Sequence, residues 1–310
     1  MQFRTHPLTF LKIVSILRPS NTLASRSSTS CKNNSSTKYQ MMEGRVYMIT
    51  GSTDGIGKHT ALQLAHAGAT VLIHGRNKQR GEDVIKQIKD ETKNNNVRLF
   101  ISDLSTLDGI RKLAEDVKKS EGSIDVLINN AGVFLKKRSE TTDGLETTFA
   151  VNVAAPFLLT YLLLDLLHAG NKPRLIITSS ISQTNDINIA DLQSCNGYRD
   201  GHGAYDLSKT IDLMMALEMS DKFNDAGIMV NSLDPGTVET KMLSEGWSCP
   251  GIPVDKADNT FLLATDAKYD NVTGKYFVDN VATEISNVCK DIKLRQEIWK
   301  KLEDITGVKY

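Results

Sequence analysis

Seven short apolar runs, separated by helical stretches, constrain this chain more than any other feature. They cover residues 45–50, 70–75, 97–102, 126–129, 174–178, 228–233 and 275–278. Most are continuously apolar rather than alternating, as strands buried on both faces are. Strand–helix alternation predicts an α/β fold, a doubly wound parallel sheet with helices on both faces. The 310 residues would suit two domains at about 150 each. No Pro/Gly-rich linker interrupts residues 44–310, however, so residues 43–310 are expected to form a single domain.

The first run leads directly into Thr50-Gly51-Ser52-Thr53-Asp54-Gly55-Ile56-Gly57, and a helix is expected next. Three glycines in such a turn have separate tasks: a tight bend, close approach to a pyrophosphate, and close helix–strand packing. The helix N-terminus adds free N–H groups and partial positive charge for phosphates. The position between strand and helix makes this a Rossmann-type phosphate turn. The spacing T-G-x-x-x-G-x-G is not a Walker loop, because Lys58 is followed by His59.

Charge separates the first 42 residues from the rest. The chain has 37 basic and 37 acidic residues, yet no Asp or Glu precedes Glu43. That leader carries six bases, which leaves the body with six more acids than bases and no long-range attraction for nucleic acid. Residues 8–17 could form a short amphipathic helix, and a Ser/Thr/Asn-rich run follows. An amphipathic, basic, acid-free leader reads as an organelle transit peptide, with mitochondria the expected address. A disordered extension, or translation from Met41 or Met42 with a cytoplasmic protein, is the alternative. No run of about 18 apolar residues predicts a transmembrane helix. The four cysteines have no C-x-x-C spacing, which excludes a disulfide scaffold or zinc site.

Further motifs follow the Gly-rich turn in a fixed order: Asp103-Leu104, Asn129-Asn130-Ala131-Gly132, Asn152 within Val-Asn-Val, Ser179-Ser180, Tyr205-x-x-x-Lys209 and Asp234-Pro235-Gly236-Thr237-Val238. Together these resemble the short-chain dehydrogenases/reductases over roughly residues 44–310. The C-terminal Gly274-Lys275-Tyr276-Phe277 and Ile298-Trp299 to Thr306-Gly307 resemble the retinol-dehydrogenase-like branch. The resemblance implies a nicotinamide cofactor held by Gly51, Ser52, Thr53, Gly55, Ile56, Gly57, Asp103, Leu104, Asn130, Ala131, Gly132, Tyr205, Lys209, Pro235, Gly236, Val238 and Thr240. Asp103 could also cap the next helix.

The second strand ends His74-Gly75-Arg76-Asn77. An acid there would bond a free ribose 2′-hydroxyl, whereas an arginine accommodates a 2′-phosphate. Gly75 stands where NAD-preferring relatives carry Asp, so Arg76 points to NADP(H) over NAD(H). Asp54 counts mildly against this, since some NADP-preferring relatives have a base there.

Tyr205 and Lys209, four apart on a helix, would share a face. A phenol titrates near 10, and a neighbouring ammonium is expected to lower that. By resemblance, Tyr205 is the general acid or base, Ser180 holds the substrate oxygen, Lys209 binds the nicotinamide ribose, and Asn152 supports a water-linked proton relay. Pro235, Gly236 and Val238 bracket the nicotinamide. Ser179, one residue earlier on a strand, would face the other way from Ser180 and stays the alternative. His202 reads as a polar loop residue between Gly201 and Gly203.

The segment after Thr240, with Met242, Leu243, Trp247, Cys249, Pro250, Ile252 and Pro253, is expected to wall the site and is apolar. That suits a lipophilic aldehyde, ketone, quinone or alcohol. The expected activity is NADP(H)-dependent interconversion of such a carbonyl and its alcohol. A catalytically silent nucleotide sensor on the same fold is the alternative, and a homo-oligomer stays open.

Overall fold

The computed structural model describes residues 42–310, so the targeting expectation for residues 1–41 lies outside the described residues. Met42, assigned above to the leader, belongs to the fold. It is 3% exposed, its N–H donates to the Ala67 carbonyl at 2.7 Å, and its sulfur accepts from the Tyr47 hydroxyl at 3.2 Å.

Eight strands form one sheet: β1 (Val46–Ile49), β2 (Thr70–Gly75), β3 (Val97–Ile101), β4 (Val126–Asn129), β5 (Arg174–Thr178), β6 (Met229–Leu233), β7 (Lys275–Val278) and β8 (Val281–Thr283). Their order is β3-β2-β1-β4-β5-β6-β7-β8, parallel except for the last pair. The helices are α1 (Gly55–His66), α2 (Lys78–Thr92), α3 (Leu107–Ser120), α4 (Thr147–Phe149), α5 (Ala155–Leu162), α6 (Leu164–His168), α7 (His202–Phe223), α8 (Lys241–Gly246), α9 (Asn259–Thr265), α10 (Asn287–Lys290) and α11 (Ile292–Thr306).

The continuous apolar runs are a period of two with both faces covered. Met48, Leu72, Leu127 and Leu175 pack with Leu113 of α3, Phe157 of α5, Ile211 of α7 and Leu302 of α11. Their neighbours Tyr47, Ile49, Val71, Ile73, Val126, Ile128 and Ile176 pack on the opposite face with Leu64 of α1, Ile88 of α2 and Phe261 of α9. The expected ends at Arg45, Thr50, Ser102 and Ile228 fall one residue outside the strands. β8 was not expected. All three of its residues are exposed, so no burial pattern marks it.

β1 has β2 on one side and β4 on the other, so the winding reverses there. In open α/β sheets ligands bind at the carboxyl ends of strands beside such a reversal. Among the described residues no helix is long and apolar enough to cross a membrane.

Candidate active site

The turn after β1 is built around two neighbours. His74 sits at the end of β2, 3% exposed; its Nδ1 accepts the Gly51 N–H at 3.2 Å and its Nε2 faces the Ser102 carbonyl at 3.2 Å. The ring is therefore neutral with its proton on Nε2, and burial pushes its pKa down to about 4. Thr50 completes the turn: its hydroxyl accepts the N–H groups of Asn130 and Ala131, both at 3.0 Å. The turn thus holds the Asn130-Ala131-Gly132 loop against itself.

The strand–helix junction leaves no room for a side chain at Gly57. A Cβ there would stand 2.5 Å from Asn130 Nδ2 and 2.6 Å from the Gly51 carbonyl. Asp54 caps α1 by accepting the Gly55 N–H at 3.0 Å. The N–H groups of Ile56 and Gly57 have no partner among the described residues. Free donors at a helix start suit phosphate oxygens. Thr240, the cap of α8, closes the far side: a Cβ on Gly55 would meet its methyl at 3.4 Å.

At the end of β2 a Cβ on Gly75 would stand 2.5 Å from the Thr53 side chain, which would have to shift to admit one. Arg76 is exposed and has no ion-pair partner among the described residues. Asp54, the counterargument to a bound 2′-phosphate, is neutralised by Lys241 at 2.7 Å and Arg80 at 3.6 Å. Asp103 does not cap α3. Thr106 does, accepting the Gly109 N–H at 3.0 Å, while the exposed Asp103 carboxylate takes the Ser105 N–H at 2.9 Å. Its partner Leu104 is buried.

Asn152 lies in a π-helical turn, residues Ala150–Ala154, a widening often found at functional sites. Its Oδ1 accepts the Val133 N–H at 2.8 Å; its Nδ2 donates to the Val133 carbonyl at 3.1 Å and to Ser208 Oγ at 3.0 Å. Both amide protons are used, so the side chain ties the β4 loop to α7. Any relay through it is left with the second lone pair of Oδ1.

The two serines lie just past the end of β5 and meet different surroundings. Ser179 is buried and donates to the Lys209 carbonyl at 2.6 Å. Ser180 is half-buried beside the Tyr205 phenol and Asp234. Asp234 joins the ends of two strands: it accepts the Ile181 N–H at 2.8 Å and the Gly236 N–H at 2.7 Å. Ser180 and the Pro235-Gly236 turn are thereby held together. Val238 is buried and bridges to Ile252.

Tyr205 and Lys209 share one face of α7, with Nζ 5.8 Å from the phenol ring centroid. A Cβ on Gly132 would lie 3.5 Å from Asn152 Oδ1 and 3.7 Å from Lys209 Nζ, so these groups converge on one point. Nζ donates to the Thr178 carbonyl at 2.9 Å and to Asp212 at 2.8 Å. Burial disfavours its charge, but Asp212 and Tyr205 outweigh this and raise its pKa. Burial also pushes Asp212 up to about 6, against the pull of Lys209. The Tyr205 pKa is raised rather than lowered as expected. Burial raises it, Lys209 lowers it less, and Asp212 and Asp234 add to the rise.

The wall after Thr240 reaches the phenol through Trp247, just past α8. Its ring lies 5.1 Å from Tyr205, 5.0 Å from Phe134 and 5.3 Å from His202. His202 is not a loop residue. It opens α7 and stacks on Phe134 at 5.0 Å. Phe134, Asp212 and Asp234 were not singled out as site residues from the sequence. Asp212 carried a readable signal, standing three residues after Lys209 and so on the same helix face.

The short chain dehydrogenase family model matches residues 45–248. The chain is 33% identical over 283 residues to polyprenol dehydrogenase of Homo sapiens, covering 85% of this chain and 86% of that one. It is 32% identical to retinol dehydrogenase 12 of Homo sapiens, covering 87% and 88%. A short chain dehydrogenase of Escherichia coli CFT073 solved with NADPH superposes with a TM-score of 0.64 at 26% identity, covering 77% of this chain and 97% of that one. An uncharacterised protein of Mycobacterium paratuberculosis superposes at 0.73, with 25% identity and coverage of 88% and 97%.

Proposed function

The chain belongs to the short-chain dehydrogenase family of oxidoreductases, and from that premise we propose that it is an NADP(H)-dependent enzyme interconverting a lipophilic carbonyl compound and its alcohol. The observation that carries this reading is the convergence of Lys209 and Asn152 at Gly132, with the Tyr205 ring centroid 5.8 Å from Lys209 Nζ and Ser180 beside the phenol. The cofactor, when bound, supplies or accepts the hydride. In reduction the Tyr205 phenol gives its proton to the carbonyl oxygen while Ser180 donates a hydrogen bond to that oxygen; in oxidation the phenolate takes the proton back. Lys209 holds the cofactor ribose and favours the phenolate.

The preference for NADP(H) is supported by the unpaired Arg76 and by the crowding of Gly75 against Thr53. Relatives named for retinol and for polyprenol, both long apolar alcohols, support a lipophilic substrate. So does the wall of Phe134, Trp247 and the face of His202. The mitochondrial address is likewise proposed from the basic leader; residues 1–42 fused to a fluorescent reporter test it, and uniform cytosolic fluorescence removes it.

A panel of apolar aldehydes, ketones and quinones with NADPH, followed at the nicotinamide absorbance, tests the activity. Turnover of at least one of them is expected. NADPH binding with no turnover across the panel would favour the silent nucleotide sensor.

A further inference from the structure

Asp212 is a charge with no task in the reaction outlined above. It lies one turn beyond Lys209 on α7 and is 1% exposed. Its Oδ2 accepts from Lys209 Nζ at 2.8 Å, and its Oδ1 is buried without a hydrogen-bond partner. A buried ion pair is often no more stable than a neutral pair of the same shape, so stability alone gives little reason for a carboxylate here.

An ammonium has three protons. The Thr178 carbonyl takes one from Lys209 and Asp212 takes another, which leaves the third for the side where Gly132 and Tyr205 stand. We propose that Asp212 is a positioning residue: together with the Thr178 carbonyl it aims Lys209, and its own charge limits how much of the lysine's charge the Tyr205 phenol feels. The proposal rests on the reading of Tyr205 as the proton-transferring group.

The charges around the phenol bear this out. From α7 it faces Lys209 and Asp212, from the end of β6 Asp234, and from β7 the Tyr276 hydroxyl. Asp212 itself is shifted by burial and by Lys209. The carboxylate thus opposes the one cation that favours phenolate, and burial adds to the rise in the phenol pKa. Removing the charge at 212 takes away one of the two carboxylates that oppose Lys209 at the phenol; Asp234 and burial remain. Such a change favours phenolate.

Tyrosine labelled with carbon-13 at Cζ, in the full chain, reports each phenol by NMR, and Tyr205→Phe identifies the Tyr205 signal by its loss. Asp212→Asn is expected to move the Tyr205 midpoint down by about one pH unit. The same displacement is expected in kcat/KM against pH for alcohol oxidation. Asp212→Ser is uncharged too and carries the same expectation should the Asn variant not fold. A merely structural ion pair would lower stability and leave both midpoints in place, and that result overturns the proposal. The NMR readout needs no turnover, so a displaced midpoint in a protein that reduces no carbonyl would sink the reaction reading and leave the Asp212 assignment standing.

Discussion

Trp247 sets its ring edge-on against Tyr205, centroids 5.1 Å apart and planes at 71°. The phenol is only 7% exposed as a result of such neighbours. An aromatic pair contributes roughly 0.5–1.5 kcal/mol beyond its area. Trp247→Ala should therefore raise KM for large apolar carbonyls by up to about tenfold while leaving KM for NADPH within about twofold. Steady-state kinetics with each substrate varied in turn measures this. Unchanged KM for the carbonyl would remove Trp247 from the substrate wall.

Tyr205→Phe should abolish turnover and keep NADPH binding. The ring's packing on Trp247 and Phe134 survives the change, and only the proton donor is lost. A positioned acid contributes roughly 10²–10⁴-fold. Full activity in the purified variant sinks the assignment.

Arg76→Asp should turn preference from NADPH towards NADH. The variant loses a charge-assisted contact worth about 1.5–3 kcal/mol and gains repulsion, so NADPH affinity falls by at least about tenfold. Asp54 is already engaged by Lys241 and Arg80, which leaves the new carboxylate as the unpaired charge at that strand end. Fluorescence titration with both cofactors decides, and equal binding to wild type and variant makes Arg76 an ordinary loop residue.

Acid should loosen the nucleotide turn through His74. Its folded pKa, about 4, lies below the ordinary 6.5 because burial disfavours the charged ring. The unfolded chain therefore binds the extra proton first. The stabilisation is fully present above pH 6.5 and is lost as pH falls from there towards 4, by up to about 3 kcal/mol. Thermal unfolding across that window measures it. His74→Gln should start less stable and show a flatter dependence, and a wild-type Tm constant from pH 7 to pH 4 contradicts the argument.

Met42 is buried in the fold. A chain beginning at Met41 should match the full chain in Tm and in NADPH binding. One beginning at Glu43 should lose about 1.5–3 kcal/mol, the value of a fully buried Met side chain. Calorimetry on the two compares them directly, and equal Tm values would show that Met42 adds nothing.

The sheet was legible in the sequence because every inner strand is buried on both sides. Met48 faces one layer while Tyr47 and Ile49 face the other, and that writes an unbroken apolar run. β8 has no buried face and left no such trace. The motif residues were legible as well, since Tyr205 and Lys209 need only a helix to meet. What the sequence lacked was burial and cross-chain distance. The π-helical turn around Asn152 reads as ordinary apolar helix, because contacts from Val133 and Ser208 accompany the widening rather than any local residue type. The Tyr205 phenol went the other way from expectation for the same reason. Lys209 and Asp212 are visible in the spacing of α7, whereas the burial and the Asp234 carboxylate that help outweigh the lysine come from elements distant in sequence.

The ion pair between Asp54 and Lys241 spans 187 residues of chain to connect the first turn of α1 with the first residue of α8. Both side chains are more than half exposed. Dissolved salt screens such a pair while leaving the apolar layers beneath it untouched. Of the contacts among the described residues that join the wall carrying Trp247 to the rest of the site, this one alone is open to ionic strength; the rings of Phe134, His202 and Tyr205 hold it by packing that salt does not screen.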